Sequence, residues 1–212
     1  MKRQLPKLEE EQKIWSLGHD FVVGVDEVGR GPLAGPVVAA ACVLVKKSEK
    51  DLEELLDLGI NDSKKLTAKK REEIFEKLKN MKSVSYSIGV VDEKTIDKIN
   101  ILQASLLAMK KAVDELVSSS DSGKYFVLVD GREIVPDISL SQKAIIGGDA
   151  RVFSIAAASV IAKVTRDRMM EEYAKKYPVY NFEKHKGYGT KLHFQMIEEH
   201  GPCPIHRKTF LH

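Results

Sequence analysis

The stretch Val22 to Gly31, with the sequence VVGVDEVGRG, combines an apolar run, two acids and a glycine-rich turn. Its first part, together with Phe21, has the composition of a buried β-strand. The run ends at Asp26 and Glu27, and the turn Gly29-Arg30-Gly31 follows. Because buried carboxylates are costly unless they are paired or bind a metal, the stretch indicates a functional site. The alternative is that the acids lie at an exposed strand end and only terminate the strand.

The length and composition are those of one globular domain, or of one domain with a small appendage. The 212 residues are 43% hydrophobic and 31% charged, with a net charge of +3, which only weakly favours a nucleic-acid partner. Cys42 and Cys203 are too few for a disulfide framework or a zinc cluster. No apolar run is long enough to span a membrane, and residues 1–15 lack the apolar region of a signal peptide. We therefore expect a cytoplasmic protein that does not contact membranes and is a monomer.

Hydrophobic periodicity predicts an alternation of strands and helices. The predicted strands cover residues 21–27, 36–45, 84–91, 125–129 and 143–146. The predicted helices cover residues 7–17, 51–58, 68–80, 92–99, 101–117 and a segment from residue 154 onward. Thr67 is expected to cap the third helix, and the short connection between the first two strands predicts antiparallel pairing. The alternation indicates an α/β fold.

Three of the predicted strands end in acidic residues. Asp26 and Glu27 end the first, Asp130 follows residues 125–129, and Asp149 follows residues 143–146 and two glycines. Strand ends at one edge of an α/β sheet form the active crevice, so we expect the four acids to converge there. Such a cluster is repulsive unless a cation neutralises it. Mg²⁺ and Mn²⁺ prefer oxygen ligands of this kind.

The C-terminal fifth of the chain is basic. Residues 184–191, with the sequence KHKGYGTK, place Tyr188 and two glycines within a run of positive charge. This favours a surface that follows a phosphate backbone, with one ring to stack on a sugar or base. The alternative is a solvated basic face. Five of the six histidines lie between 185 and 212, but their spacing matches no zinc signature. Arg166, Asp167 and Arg168 are consecutive, so Asp167 is expected to form a local ion pair with an arginine, and it is a reserve metal ligand.

Taken in order along the chain, these segments resemble the ribonuclease HII family, the type 2 ribonucleases H. The resemblance covers roughly Phe21 to Phe210. The motifs that carry it are DEVGRG (26–31), NDSKKL (61–66), VDG (129–131), GD (148–149), AAASVIAKV (156–164) and HKGYGT (185–190). Each motif alone is weak evidence, whereas the ordered set is specific.

The resemblance implies a ribonuclease H-like α/β fold, in which a mixed five-stranded central sheet is flanked by helices and followed by a helical C-terminal part. Residues 1–212 would form one catalytic domain, with the sheet core at about 20–160 and a basic, substrate-contacting part at about 160–212. The family cuts RNA in RNA/DNA hybrids and nicks duplex DNA 5′ of embedded ribonucleotides, a DNA repair activity. It leaves 3′-hydroxyl and 5′-phosphate ends and uses two Mn²⁺ or Mg²⁺ ions.

Matching the motifs position by position assigns roles to individual residues. The catalytic metal ligands would be Asp26, Glu27, Asp130 and Asp149. The turn that senses the ribose 2′-hydroxyl would be Gly29, Arg30 and Gly31, and Tyr188 would stack on the next sugar. Phosphate contacts are expected from Ser63, Lys64 and Lys65, with Lys163 and Lys186 as weaker candidates. Arg30 distinguishes the chain from ribonucleases HIII, which usually have Gly-Thr-Gly at this turn.

Two further hypotheses compete with this assignment. One is a nucleic-acid-binding module with the same fold and no activity, against which the intact acids argue. The other is a different two-metal enzyme on a related fold, such as a DNA nuclease, which would cut an all-DNA duplex.

One stereochemical condition applies to the acids of the first strand, because neighbouring residues on a strand point to opposite faces of the sheet. Asp26 and Glu27 share one site only if the strand bends or ends there.

Overall fold

The computed structural model describes residues 5–45, 49–60, 63 and 66–211, which are organised around one five-stranded sheet. The strands are β1 (Phe21–Val28), β2 (Val37–Val45), β3 (Val84–Val91), β4 (Tyr125–Asp130) and β5 (Ser141–Ile145). Their order across the sheet is β3-β2-β1-β4-β5. β2 is antiparallel to both β1 and β3, whereas β4 is parallel to both β1 and β5. The sheet is therefore mixed, as expected, and β1 lies at its centre.

Eight α-helices lie within the described residues: α1 (Glu9–Ser16), α2 (Glu49–Leu56), α3 (Ala68–Asn80), α4 (Glu93–Ile99), α5 (Ile101–Ser118), α6 (Phe153–Lys176), α7 (Phe182–His185) and α8 (Lys191–His200). The predicted cap of α3 is confirmed, because the Thr67 hydroxyl accepts the N–H of Lys70 at 3.2 Å. None of these helices is long and apolar enough to cross a membrane.

The two longest helices cover opposite faces of the sheet. α6 packs on one face and α5 on the other, each over its own cluster of fully buried side chains. The contact of α6 with β1 is very close. A Cβ atom at Gly24 would lie 2.1 Å from the backbone of Ser154, so only glycine fits there. The small residues of α6 permit this approach, and Ser159 of this helix hydrogen-bonds Asp26.

The chain after α6 packs with the end of α6 and the loop between β1 and β2 in a separate small core. Its buried members are Ala34, Met170, Tyr180, Phe182 and Ile205, with α7 and α8 around them. A backbone bridge joins Ala34 to His206. The helical C-terminal part is therefore docked against the loop that follows β1, and this contact matters for the site.

Candidate active site

Three of the predicted acids lie together at one edge of the sheet. Asp26 belongs to β1 and Asp130 is the last residue of the parallel neighbour β4, while Asp149 lies in a short 3₁₀ turn after β5. One carboxylate oxygen from each residue lies within 4.8 Å of the other two. The strand ends therefore converge as the sequence predicts.

Backbone hydrogen bonds position Asp149 relative to Asp130. The carboxylate oxygen Oδ1 of Asp130 accepts the N–H of Gly148 at 2.6 Å and that of Asp149 at 3.4 Å. A Cβ atom at Gly148 would lie 2.5 Å from the Ile155 side chain, so the turn is also pressed against α6. The position of the third acid is thus fixed by β4 and α6 together.

Asp26 is the most buried member of the group, with 6% of its surface exposed. Burial raises its pKa well above the ordinary value, and the charges of Glu27 and Asp130 raise it further. Hydrogen bonds from the Ser159 hydroxyl and from the N–H of Glu27, the latter at 2.7 Å, oppose this rise in pKa. The site therefore favours a bound cation, since a cation would offset both the burial and the repulsion.

Glu27 lies on the other face of β1. The strand continues regularly through Glu27 to Val28, so the side chains alternate and the Glu27 carboxylate is outside the group of three close oxygens. It accepts a hydrogen bond from Arg30 at 3.3 Å. Burial raises the pKa of Glu27, and the Arg30 charge opposes that rise. The role of Glu27 as a metal ligand remains a prediction.

The donor set fits a hard divalent cation. Asp26, Asp130 and Asp149 offer only carboxylate oxygens, which Mg²⁺ and Mn²⁺ prefer over nitrogen or sulfur ligands. Asp26 is buried and its pKa is raised, so the charged form of this residue needs an external positive charge. The arrangement is therefore suited to binding metal.

The turn after β1 and the C-terminal aromatic residue are neighbours in space. Gly29 has φ +98°, and a Cβ atom there would lie 2.4 Å from Nε of Arg166 and 2.7 Å from the Pro36 carbonyl oxygen. A Cβ atom at Gly31 would meet the Tyr188 ring at 3.8 Å. Tyr188 is 40% exposed. Two motifs about 160 residues apart in sequence thus form one exposed surface.

Ser63, Lys163 and Lys186 all have partners within the protein, and that of the Lys163 ammonium is Asp167 at 2.7 Å. Ser63 is buried, and its hydroxyl shares a 2.9 Å hydrogen bond with that of Ser159, which in turn contacts Asp26. The Lys186 ammonium pairs with Glu171 at 2.7 Å. Their phosphate contacts remain predictions. Lys64 and Lys65 lie outside the described residues.

Asp167 pairs with an arginine, but the prediction that this ion pair is local is wrong. The partner is Arg71 on α3, at 3.6 Å, rather than a neighbour on α6. A closer bond, of 2.7 Å, comes from the ammonium of Lys163 one helical turn earlier. Asp167 is not a member of the three-carboxylate group, and its reserve role as a metal ligand has no support from this geometry.

Sequence reasoning missed two buried arginines beneath the turn. Arg166 donates hydrogen bonds to the carbonyl oxygens of Pro36, Lys186 and Ala34, at 2.9, 2.9 and 3.1 Å. Arg207 binds further carbonyls of the same loop. Both side chains are fully buried, and burial lowers the pKa of Arg166 to about 10 and that of Arg207 to about 9. Their local sequence is indistinguishable from that of surface arginines.

Three of the described C-terminal histidines, His185, His193 and His206, are buried. His193 and His206 are buried, with 3.0 Å between their Nε2 atoms. Because Nδ1 of His193 donates to the Tyr188 carbonyl at 3.0 Å, the proton shared by the two Nε2 atoms comes from His206. Nδ1 of His206 then accepts the N–H of Cys203 at 2.9 Å. Both rings are neutral in this network, and burial lowers the pKa of His193 to about 4. They support the Tyr188 loop rather than contact phosphate.

The fold and the acidic strand ends together define a ribonuclease H-like domain. The ribonuclease H2 of Pyrococcus horikoshii superposes with a TM-score of 0.65 and 30% identity, covering 89% of this chain and 93% of that chain. A Bst-RNase HIII solved in complex with Mn²⁺ shares the fold, with a TM-score of 0.69 at 20% identity over 88% of this chain and 65% of that chain.

Sequence comparison then identifies the family. The Ribonuclease HII family model matches residues 23–212. The Ribonuclease HII of Caldicellulosiruptor saccharolyticus is 53% identical over 201 residues, which cover 95% of this chain and 92% of the relative. That of Caldanaerobacter subterraneus is 49% identical and covers 100% of this chain and 84% of the relative. The chain belongs to the ribonuclease HII family and is a nuclease of the ribonuclease H type.

Proposed function

We propose that this protein hydrolyses the RNA strand of RNA/DNA hybrids and nicks duplex DNA on the 5′ side of embedded ribonucleotides, leaving 3′-hydroxyl and 5′-phosphate ends. Removal of ribonucleotides from DNA is a repair function. The proposal rests chiefly on the three carboxylates, whose oxygens lie within 4.8 Å of one another. The exposed turn at Arg30 and Gly31 supports it, because this turn begins one residue after β1, the strand that carries Asp26.

The acids would act by holding divalent metal. Asp26, Asp130 and Asp149 provide the ligands that lie close together, and Glu27 is the fourth candidate on the opposite face of β1. When bound, two Mn²⁺ or Mg²⁺ ions supply an activated water and stabilise the leaving oxygen of the phosphodiester. Asp130 keeps Asp149 in place through its backbone hydrogen bonds. The Ser159 hydroxyl stabilises the charged form of Asp26.

Selection of the ribonucleotide would come from the turn and the tyrosine. The 2′-hydroxyl is the group that distinguishes RNA from DNA, and it can both donate and accept hydrogen bonds. Backbone groups at Gly31 can approach a sugar closely because no side chain intervenes. The adjacent Tyr188 ring offers an exposed face for stacking on the next sugar. Arg30 can contribute a contact to phosphate.

A cleavage assay on three labelled duplexes tests this function. The purified protein with Mn²⁺ should nick a DNA duplex that contains one ribonucleotide, cut the RNA of a hybrid, and leave an all-DNA duplex intact. Asp149→Asn should lose both activities, whereas Asp114→Asn, an exposed acid on α5, should keep them. Failure of the wild type to cut at the ribonucleotide would refute the proposal. Efficient cutting of all-DNA would instead favour a DNA nuclease.

A further inference from the structure

Arg207 binds the backbone of the turn from below. Its Nη2 donates to the Gly29 carbonyl at 2.6 Å, and its Nη1 donates to the Arg30 carbonyl at 3.0 Å. Nε and Nη2 also donate to the Gly35 carbonyl, at 3.0 and 2.8 Å. The side chain is fully buried. One guanidinium therefore holds two consecutive carbonyls of the turn and a third at the other end of the loop.

The direction of these carbonyls fixes the direction of two N–H groups. The peptide bonds of the turn are trans, so the C=O and N–H of each peptide unit point in opposite directions. Since the carbonyls of Gly29 and Arg30 point inward at Arg207, the N–H groups of Arg30 and Gly31 point away from it. Arg30 and Gly31 are the exposed residues of the turn. The turn thus presents two adjacent N–H donors on its outer side.

We propose that Arg207 is a positioning residue that aims the N–H groups of Arg30 and Gly31 at the 2′-oxygen of the ribonucleotide. The inference rests on the proposed function and adds the group that orients the sensing turn. An arginine suits this role because its planar fork can bind several carbonyls at fixed angles, whereas lysine has one nitrogen. The hydrogen bonds that Arg207 donates also polarise the peptide groups and strengthen the N–H donors on their far side.

Arg166 links the loop that carries the turn to the segment that carries Tyr188. Its Nε lies 2.4 Å from the position that a Cβ atom of Gly29 would take, and its guanidinium binds the carbonyls of Ala34 and Pro36. It also binds the carbonyl of Lys186, close to Tyr188. The sensing turn and the stacking ring are therefore fixed relative to each other through buried cations.

The substitution Arg207→Lys tests the role of the fork. Binding of a duplex with one ribonucleotide and of the matching all-DNA duplex is measured by fluorescence anisotropy with Ca²⁺ in place of Mn²⁺. The wild type should prefer the ribonucleotide duplex, and in Arg207→Lys this preference should be about tenfold smaller. A tenfold change corresponds to the loss of one or two hydrogen bonds. Affinity for the all-DNA duplex should not change. Arg168→Lys, an exposed arginine paired with Glu72 and Glu76, is the matched control and should keep the full preference.

A direct measurement on the wild type covers the case in which Arg207→Lys does not fold. In amide NMR spectra, the N–H resonances of Arg30 and Gly31 should shift with the ribonucleotide duplex and not with the all-DNA duplex. Identical shifts with both duplexes, or an unchanged preference in folded Arg207→Lys, would overturn the role of Arg207 while leaving the proposed function intact. A wild type that neither cuts at nor prefers the ribonucleotide would overturn both.

Discussion

Asp26 and Asp130 lie side by side because the register of two parallel strands places them there. Val25 of β1 is paired with Val129 of β4, and each valine is followed directly by one of the two acids. The separation of the carboxylates is therefore determined by the rigid centre of the sheet rather than by loops. The two acids are consequently held close together before any metal binds.

The substitution Asp26→Asn should abolish cleavage without unfolding the protein. The variant removes a metal ligand. Removing one of several residues that act together in catalysis typically lowers the reaction rate at least about 10³-fold. In EDTA, the variant should unfold at the same or a higher temperature than the wild type, because burial and two neighbouring charges disfavour the Asp26 carboxylate. Nuclease assays and thermal melts check this. A melting temperature lower by about 5 °C or more would mark Asp26 as structural.

Removal of the Tyr188 ring should weaken cutting at single ribonucleotides. Stacking on an aromatic ring is worth about 1–3 kcal/mol, so Tyr188→Ala should lower kcat/KM by roughly 5- to 150-fold. Tyr188→Phe keeps the ring and should retain most of the activity. The residue is 40% exposed, so neither variant should change the melting temperature much. Wild-type kinetics in Tyr188→Ala would refute the stacking role.

Replacement of Gly29 should be more damaging than replacement of another glycine with similar backbone geometry. An alanine Cβ at Gly29 would clash with Arg166 and the Pro36 carbonyl, whereas Gly18, at φ +85°, has open space around it. Gly18→Ala should therefore lower the free energy of unfolding by about 1 kcal/mol through backbone strain alone. Gly29→Ala should lower it by about 2–4 kcal/mol. Urea denaturation measures both values. Equal costs would show that Gly29 is needed only for its φ angle.

Stability should fall as the pH is lowered below neutrality. The pKa of His193 in the folded protein is about 4, lowered by burial from 6.5, so between these values the unfolded chain binds a proton that the folded chain does not. The free energy of unfolding should thus be about 2 kcal/mol lower at pH 5 than at pH 7 from this group alone. The pKa of His206 is also lowered by burial and adds to the effect.

Denaturation curves at several pH values compare His193→Asn with His200→Gln. The first variant should flatten the dependence of stability on pH, whatever its absolute stability, and the second, at an exposed histidine, is the matched control. A wild-type stability that is independent of pH across this range would contradict the assignment of a neutral, buried His193.

The acids at the strand ends could be predicted because their signal is local. An apolar run that stops at a carboxylate marks both Asp26 and Asp130, and the convergence of such ends follows from α/β topology. The alternation of side chains along a strand also gave the condition on Glu27, whose carboxylate lies outside the group of three close oxygens.

The supporting residues could not be predicted because their partners are remote in sequence. Arg207 binds backbone carbonyls that lie more than 170 residues earlier in the sequence. The residues next to Arg207 in the sequence resemble those of any basic surface segment. His193 reads as part of a charged tail, yet it is neutral and fully buried. Ser63 reads as a phosphate contact, yet its hydroxyl faces Ser159 inside the protein. The environment of each of these side chains is determined by tertiary packing, which the local sequence does not show.

Anomalous diffraction from crystals soaked in MnCl₂ tests the central claim most directly. We predict Mn²⁺ peaks bound by the carboxylates of Asp26, Asp130 and Asp149, whose oxygens already lie within 4.8 Å of one another. Soaked crystals that show no peak at these three residues, with manganese bound only elsewhere, would contradict the account.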